Sequence, residues 1–352
     1  NIGFEHSDEE LMGMIFSQMC LQHNLHEGLK KFGNRGREAA LGEFKQMHLR
    51  DAFKPRHASA LTPVEKKKAL GTIVLIEEKQ DGRVKGRAVA DGRKQREDIP
   101  KEDAASPTSA LESIILTSII EAKENRHVVV ADIPNAFIQT DMEGDPVFMK
   151  LTGKAAEILV QNAPELYRQY ITLENGRVVL YVEALKAIYG TLKAALLFYK
   201  KLVGDFKSIG FVVNPYDPCV ANKMINGKQF TIVWHVDDLK FSHADKEETD
   251  KFIDWLRENY EDKLIGEIKV SQGKVHDYLG MKLDYSSPGD VKINMVEYVK
   301  KMIEVFPEER TTTATTPAAL HLFEVRDDVK LLDEEQAMIF HTIVAKGLFL
   351  CK

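Results

Sequence analysis

Three acidic side chains stand where apolar runs end. Asp132 closes His127-Val128-Val129-Val130-Ala131-Asp132, and Asp237-Asp238 follow Phe230-Thr231-Ile232-Val233-Trp234-His235-Val236. Two adjacent acids in a tight turn, with no basic neighbour before Lys240, concentrate charge that is costly unless a cation neutralises it. Successive strand residues point to opposite faces, so one of Asp237 and Asp238 is expected to face Asp132 while the other lies nearer the turn. Carboxylates converging at a sheet edge suit Mg²⁺, which prefers oxygen ligands and keeps waters or substrate phosphates in its shell. Two such ions ~3.5–4 Å apart stabilise the attacking and leaving oxygens of an in-line phosphoryl transfer. Asp also favours turns for its own local hydrogen bonds, and spacing alone leaves both readings open.

The elements that must position these acids can be read around them. The Val-rich run suggests a strand buried on both faces. Before it, Ser109-Ala110-Leu111-Glu112 has capping-box spacing and opens a helix carrying Ile114, Ile115, Ile119 and Ile120. Thr191–Ile209 reads as an amphipathic helix through Leu192, Ala195, Leu196, Tyr199, Leu202, Val203 and Phe206, closed by Gly210. Asn226-Gly227 predicts a hairpin between Cys219–Met224 and Gln229–Val236, and Asp237-Asp238 turn the chain into Leu239–Ser242. A helix over Thr249–Tyr260 follows. Tyr278–Asp284 and Val291–Asn294 then make a hairpin around Ser287-Pro288-Gly289, and Val296–Phe306 a further helix. Upstream, helical spacing at Leu11, Met14, Ile15 and Met19 precedes a loop at Gly33–Gly36, and strands over 72–77 and 87–90 flank a turn at Asp81-Gly82. The order predicts an α+β sheet with helices on one face. Thr311–Pro317 has the composition of a linker, and the C-terminal stretch begins another helix.

Composition excludes some classes. With 44% hydrophobic and 29% charged residues the chain is ordinary globular material, and no apolar run approaches the ~18 residues needed to cross a bilayer. The first residue is not Met and the last ones stop inside an apolar run, so both ends are expected to be cut from a longer chain. Cys20, Cys219 and Cys351 have no paired spacing, as expected of reduced cytosolic thiols. A net charge of -6 is awkward for a phosphate-binding protein, but distribution matters more. Positive charge gathers at Lys30, Lys31, Arg35, Arg37, Lys45, Arg50, Lys54 and Arg56, and again at Arg83, Lys85, Arg87, Arg93, Lys94 and Arg96. Either cluster could also be a solvated mixed face.

An ordered set of motifs resembles a known family. His235-Val236-Asp237-Asp238-Leu239 resembles the aromatic-Val-Asp-Asp hairpin of copia-type long-terminal-repeat retrotransposon reverse transcriptases, and Asp132-Ile133-Pro134-Asn135-Ala136-Phe137 their first catalytic block. Leu185-Lys186-Ala187-Ile188-Tyr189-Gly190, Phe198-Tyr199, Asp217-Pro218-Cys219, Tyr278-Leu279-Gly280-Met281, Tyr298-Val299, Thr316-Pro317 and Phe340–Leu350 match the segments that follow, in order. The resemblance implies that Asp132, Asp237 and Asp238 are catalytic, with Asp238 the least direct. It places Ile133 with these three in the set that binds two Mg²⁺ or Mn²⁺ ions. It also implies that Lys85, Arg87 and Lys193 bind the nucleotide, that Phe137 is the steric gate against a ribose 2′-hydroxyl, and that His235, Tyr278, Leu279 and Gly280 lie along primer and template. As alternatives, Phe137 suits an ordinary core, Lys193 a solvated helix and His235 a buried structural site. His235 stands where the family usually has Tyr, and Thr191–Leu197 lacks the usual polar run, which puts the nucleotide contacts in question.

The implied fold is a right-hand polymerase of fingers, palm and thumb, with a mainly antiparallel palm sheet backed by helices. A helical extension would cover 1–49, fingers 50–125 and 150–190, palm 126–149 and 191–285, and thumb 286–315. Residues 316–352 would link to a ribonuclease H domain, with integrase upstream in the same polyprotein. The implied function is RNA-directed DNA polymerisation from deoxynucleoside triphosphates on an RNA or DNA template with its primer. Its setting would be a cytoplasmic virus-like particle with a later nuclear phase and no membrane partner. The rival readings are a catalytically inactive derivative that only binds nucleic acid or a partner, and a two-metal nuclease.

Overall fold

The computed structural model describes residues 22–79, 82–100, 104–264, 266–305, 315, 316, 318, 324 and 329–351. Along them run β1 (Gln22–Asn24), α1 (Leu25–Phe32), α2 (Asn34–Leu49), β2 (Phe53–Arg56), α3 (Pro63–Lys68), β3 (Leu70–Glu78), β4 (Val84–Ala90) and α4 (Leu111–Lys123). Next come β5 (His127–Asp132), β6 (Val147–Thr152), α5 (Lys154–Asn162), α6 (Pro164–Tyr167), β7 (Thr172–Glu174), β8 (Arg177–Ala184) and α7 (Ala194–Ser208). β9 (Val212–Val213), β10 (Val220–Ile225), β11 (Lys228–His235), β12 (Asp238–His243) and α8 (Lys246–Tyr260) follow. β13 (Lys269–Gln272), β14 (Val275–Tyr278), β15 (Met281–Asp284), β16 (Lys292–Asn294), α9 (Val296–Glu304) and α10 (Glu334–Leu350) complete the order. The protein is α+β, in two bodies divided at Asn294 and Met295.

The sheet that matters most is six-stranded and antiparallel, in the order β13-β5-β12-β11-β10-β9. Asn226 and Gly227, at φ +51° and +75°, give the two left-handed residues that a tight hairpin between β10 and β11 requires. One face of the sheet presents Val129, Ala131, Ile232, Trp234, Leu239 and Phe241 to Leu202 and Phe206 of α7 and Phe252, Ile253 and Leu256 of α8. Each of these large side chains contributes ~1.5–3 kcal/mol on full burial. Edge-to-face contacts, such as Phe241 on Phe252 at 4.8 Å, fix their relative orientation.

Helices were expected on one face only, yet the opposite face is covered too, by α4 and the small sheet β14-β15-β16. The reason is Lys240, which is fully buried there and needs oxygen partners. Its ammonium donates to Glu121 at 2.6 Å and to Thr117 Oγ1 at 3.0 Å. α4 therefore turns Thr117, Ser118 and Glu121 inward and leaves Ile115, Leu116 and Ile119 exposed. The expected capping box does not form. Ala110 is the N-cap, and its N–H donates to Asp217 Oδ2 at 3.0 Å.

A seven-stranded sheet follows the path β1-β3-β6-β8-β2, with β4 on β3 and β7 on β8. Its core joins Leu70, Val74, Leu180 and Val182 to Ala40, Phe44 and Met47 of α2. Residues 34–49 are thus built into this core. The expected Gly33–Gly36 loop shrinks to Gly33, at φ +54° between α1 and α2. The stretch with Leu11 to Met19, Asp81 of the expected turn and most of Thr311–Pro317 lie outside the described residues.

The run Tyr278–Asp284, expected as one strand, is broken by Leu279 and Gly280 at φ +48° and +77°. It becomes the hairpin β14-β15, with Tyr278 opposite Met281. In the second body Tyr298 of α9 packs on Phe349 of α10, with centroids 5.1 Å apart. Among the described residues no helix is long and apolar enough to cross a membrane.

Candidate active site

β5 and β12 are adjacent, and their register sets Asp132 directly opposite Asp238. Directly opposed residues share a face with Cβ atoms ~4.5–5.5 Å apart. Asp237 occupies the turn between β11 and β12, and its backbone oxygen accepts from the Ile133 N–H at 3.0 Å. The expected division is therefore found, with Asp238 as the residue that faces Asp132. Val236 before them sits at φ +60°, a region that β-branched residues avoid. Such strain persists only where the surrounding structure holds it.

The electrostatics follow from this crowding. Burial, then Asp237 and Asp132, push the Asp238 carboxyl up to about 6, against the pull of Lys269. Burial also raises Asp237, with Asp132 adding to it while its own backbone N–H, Arg87 and Lys269 oppose. Negative charge at these positions is thus unfavourable without a cation.

Cations approach from β4. Its buried face, Gly86 and Ala88, lies on α2, where a Cβ on Gly86 would stand 2.6 Å from the Ala39 backbone oxygen. Lys85 and Arg87 take the alternate, exposed positions. Arg87 acts on Asp237, and Lys85 lies in range of Lys269. Desolvation of its ammonium by neighbouring protein, then Arg87, pull Lys85 down, while the half-buried Glu43 opposes. Phe137, on a 3-10 turn at Ala136–Gln139, is half-buried and packs on Tyr189 with centroids 4.4 Å apart. Tyr189 is in turn raised by burial and by Asp237 and Asp132, which puts the Phe137–Tyr189 pair within electrostatic range of the carboxylates.

Not every expected residue reaches the site. Lys193 precedes α7 and lines a cleft of about 420 Å³ with Lys68, Lys94 and Asp145. A Cβ on Gly144 would lie 3.7 Å from its ammonium nitrogen. Tyr278 is 2% exposed, too buried to touch a primer. Its hydroxyl points under the hairpin, 3.4 Å from the Asp238 backbone oxygen and 3.5 Å from that of Val233. Leu279 is half-buried and Gly280 exposed at the β14-β15 turn. His235 is half-buried opposite Asp238, and the Ile133 side chain is fully buried in the core.

Two features escaped the sequence. Lys269 of β13 is also in register with Asp132 and donates to its Oδ2 at 3.1 Å. Buried Lys240, two residues beyond Asp238, is joined through Glu121 to the Tyr285 hydroxyl, 2.6 Å from Glu121 Oε2. Nothing in local spacing marks either one. A Lys inside the apolar run Leu239–Phe241 was the available signal that a buried partner must exist.

Carboxylate oxygens that repel one another are the right donors for Mg²⁺ or Mn²⁺, which need only one or two protein carboxylates beside waters and phosphates. Among the described residues no three His, Cys, Asp or Glu side chains already converge on one ion position. The donor chemistry fits the ion, while a closed cage is not preformed. The set is suited to orienting phosphate oxygens and neutralising charge that develops on them.

The comparisons with known proteins agree with this chemistry. The family model "Reverse transcriptase (RNA-dependent DNA polymerase)" matches residues 61–320. The retrovirus-related Pol polyprotein from transposon TNT 1-94 of Nicotiana tabacum is 24% identical over 251 residues, covering 69% of this chain and 17% of that protein. The transposon Ty1-BL Gag-Pol polyprotein of Saccharomyces cerevisiae is 21% identical over 284 residues, covering 79% and 15%. The chain thus spans less than a fifth of the length of either relative.

Among solved structures, a foamy viral protease-reverse transcriptase in complex with double-stranded DNA aligns with a TM-score of 0.37 and 18% identity, over 66% of this chain and 32% of that one. Telomerase from Candida albicans gives 0.37 and 11%, over 71% and 52%. At such scores neither superposition defines the fold; the family match brings the right-hand polymerase fold with it. The chain belongs to the reverse transcriptase (RNA-dependent DNA polymerase) family, in its copia-type long-terminal-repeat retrotransposon branch.

Proposed function

We propose that this chain is the polymerase segment of a retrotransposon polyprotein and extends a primer on an RNA or DNA template from deoxynucleoside triphosphates. The observation that carries the reading is the pairing of Asp132 with Asp238 across adjacent strands, with Asp237 at the turn and Arg87 within electrostatic reach. The six-stranded sheet would be the palm and the seven-stranded sheet the fingers, and the body from Met295 onward would contain the thumb and the link to ribonuclease H. Integrase would precede this segment, and synthesis would take place in a cytoplasmic particle with a later nuclear phase.

In this reading Asp132 and Asp237 would hold two divalent ions, with Asp238 and the Ile133 backbone oxygen as further ligand candidates. Bound there, the ions supply charge neutralisation to the attacking primer 3′-hydroxyl oxygen and the leaving pyrophosphate oxygen. Lys85 and Arg87 draw the triphosphate down from β4, Arg adding a two-pronged grip. Phe137, held against Tyr189, presents a flat ring to the sugar. Tyr278 supports the hairpin from beneath rather than touching the primer. Catalysis is then mostly positioning and electrostatics.

One observation favours the rival inactive derivative: Lys193 lines a cleft whose walls include none of the three carboxylates, away from the nucleotide contact expected of it. Primer extension with Mg²⁺ decides. Asp237→Asn is expected to abolish extension while urea stability and template affinity stay near wild type. Mutant extension within a few-fold of wild type refutes the role given to Asp237. A wild-type chain that binds template without extending it supports the inactive derivative, and degradation of labelled duplex without incorporation supports a nuclease.

A further inference from the structure

Lys269, Asp132 and Asp238 form a row across three neighbouring strands. β13 pairs with β5 so that Lys269 is opposite Asp132, and β12 pairs with β5 so that Asp238 is opposite Asp132. Residues so opposed share one face of the sheet. The Lys269 ammonium stands 3.1 Å from Asp132 Oδ2, and its charge also favours ionised Asp237 and Asp238. One lysine thus serves all three carboxylates.

Its side chain is 83% exposed, unlike that of Lys240, which is locked in the interior by Glu121 and Thr117. An exposed ammonium on a flexible four-carbon stem leaves a carboxylate at little cost. Whichever carboxylate oxygen it used, a divalent ion bound by Asp132 would stand a few ångströms from the Lys269 ammonium on Oδ2, and the two positive charges repel.

We propose that Lys269 is a tethered counter-ion of the metal site: it holds the three carboxylates together without metal and must swing off Asp132 for a divalent ion to bind. Lys269 is therefore a positioning residue whose effect on metal loading is competitive. Lys85 lies within electrostatic range of Lys269, and two ammonium groups repel. The inference rests on the metal-binding reading of Asp132, Asp237 and Asp238.

The test is Mn²⁺ titration of the whole metal-free chain by calorimetry at low salt, for wild type, Lys269→Gln, Asp132→Asn, Asp132→Asn with Lys269→Gln, and Asp237→Asn. Removing the lysine charge is expected to tighten Mn²⁺ binding about threefold to fivefold, the range of an exposed ion pair. The gain should shrink as added salt screens the pair and vanish when Asp132 is already Asn. The metal-free melting temperature of Lys269→Gln should fall and be restored by Mn²⁺. Equal or weaker Mn²⁺ binding by Lys269→Gln overturns the counter-ion role. If Asp237→Asn still abolishes binding in that case, the metal site itself survives. No Mn²⁺ binding by the wild type, or binding unaffected by Asp132→Asn and Asp237→Asn, overturns both.

Discussion

Replacing Lys240 by Met tests how the hairpin strand is held. Lys240 and Glu121 are 0% and 1% exposed and 2.6 Å apart; burial pulls the Lys240 ammonium down and Glu121 opposes it. Met matches the length of the lysine stem, so little volume is lost, but Glu121 is left in the interior without its cation while the Tyr285 hydroxyl still donates to it. Removing one partner of a buried pair costs about 3–5 kcal/mol. With an m value of about 3 kcal/mol/M in urea, the unfolding midpoint should fall by roughly 1–1.7 M. Glu121→Gln added to Lys240→Met removes the stranded charge and keeps an acceptor for Tyr285, so the double variant should recover at least 2 kcal/mol of that loss, an order set by measured couplings of neighbouring residues. Equilibrium urea unfolding by tryptophan fluorescence measures all four corners of the cycle. A single variant within about 1 kcal/mol of wild type, or strictly additive effects, refutes the claim that this pair is a coupled buried unit.

Two further outcomes follow from the site. Because the Asp238 carboxyl is raised from its ordinary 3.8 to about 6, the folded metal-free chain binds a proton that the unfolded chain has released between those values. Stability from this group is full below pH 3.8 and is lost as pH rises through 6. The loss is on the order of 2 kcal/mol after solvent screening. Asp238→Asn should flatten the urea midpoint between pH 4.5 and 7.5, and an unchanged slope would assign the effect elsewhere. Phe137→Ala opens space beside Tyr189 and should raise ribonucleotide relative to deoxynucleotide incorporation by roughly tenfold; an unaltered ratio in competitive primer extension removes Phe137 from sugar selection.

The acids were legible in the sequence because strand alternation and β-branched runs are local signals, while the register that sets Asp132 against Asp238 is long-range pairing that the structure supplies. The Asn226-Gly227 turn was legible for the same reason. α4 was not. Its isoleucines suggest a core face, but Ile115 and Ile119 are exposed while Thr117 and Glu121 are inside, because a lysine more than a hundred residues later dictates which face turns inward. Lys269 was invisible likewise, since its role depends on β13 joining the far side of β5. The break after Tyr278 was missed because Leu279 adopts a left-handed conformation that leucine seldom takes. It converts an expected primer contact into a buttress under the hairpin.

Where the end of β4 meets the segment after β8 there is no clearance at all. The Ala90 N–H donates to the Tyr189 backbone oxygen at 2.7 Å. A Cβ on Gly190, itself at φ +89°, would lie 2.0 Å from the Ala90 backbone oxygen, and one on Gly92 would lie 2.1 Å from that of Gly190. A side chain at either glycine would force the two segments apart, so Gly190 and Gly92 are what let the strand carrying Lys85 and Arg87 sit directly against the segment carrying Tyr189.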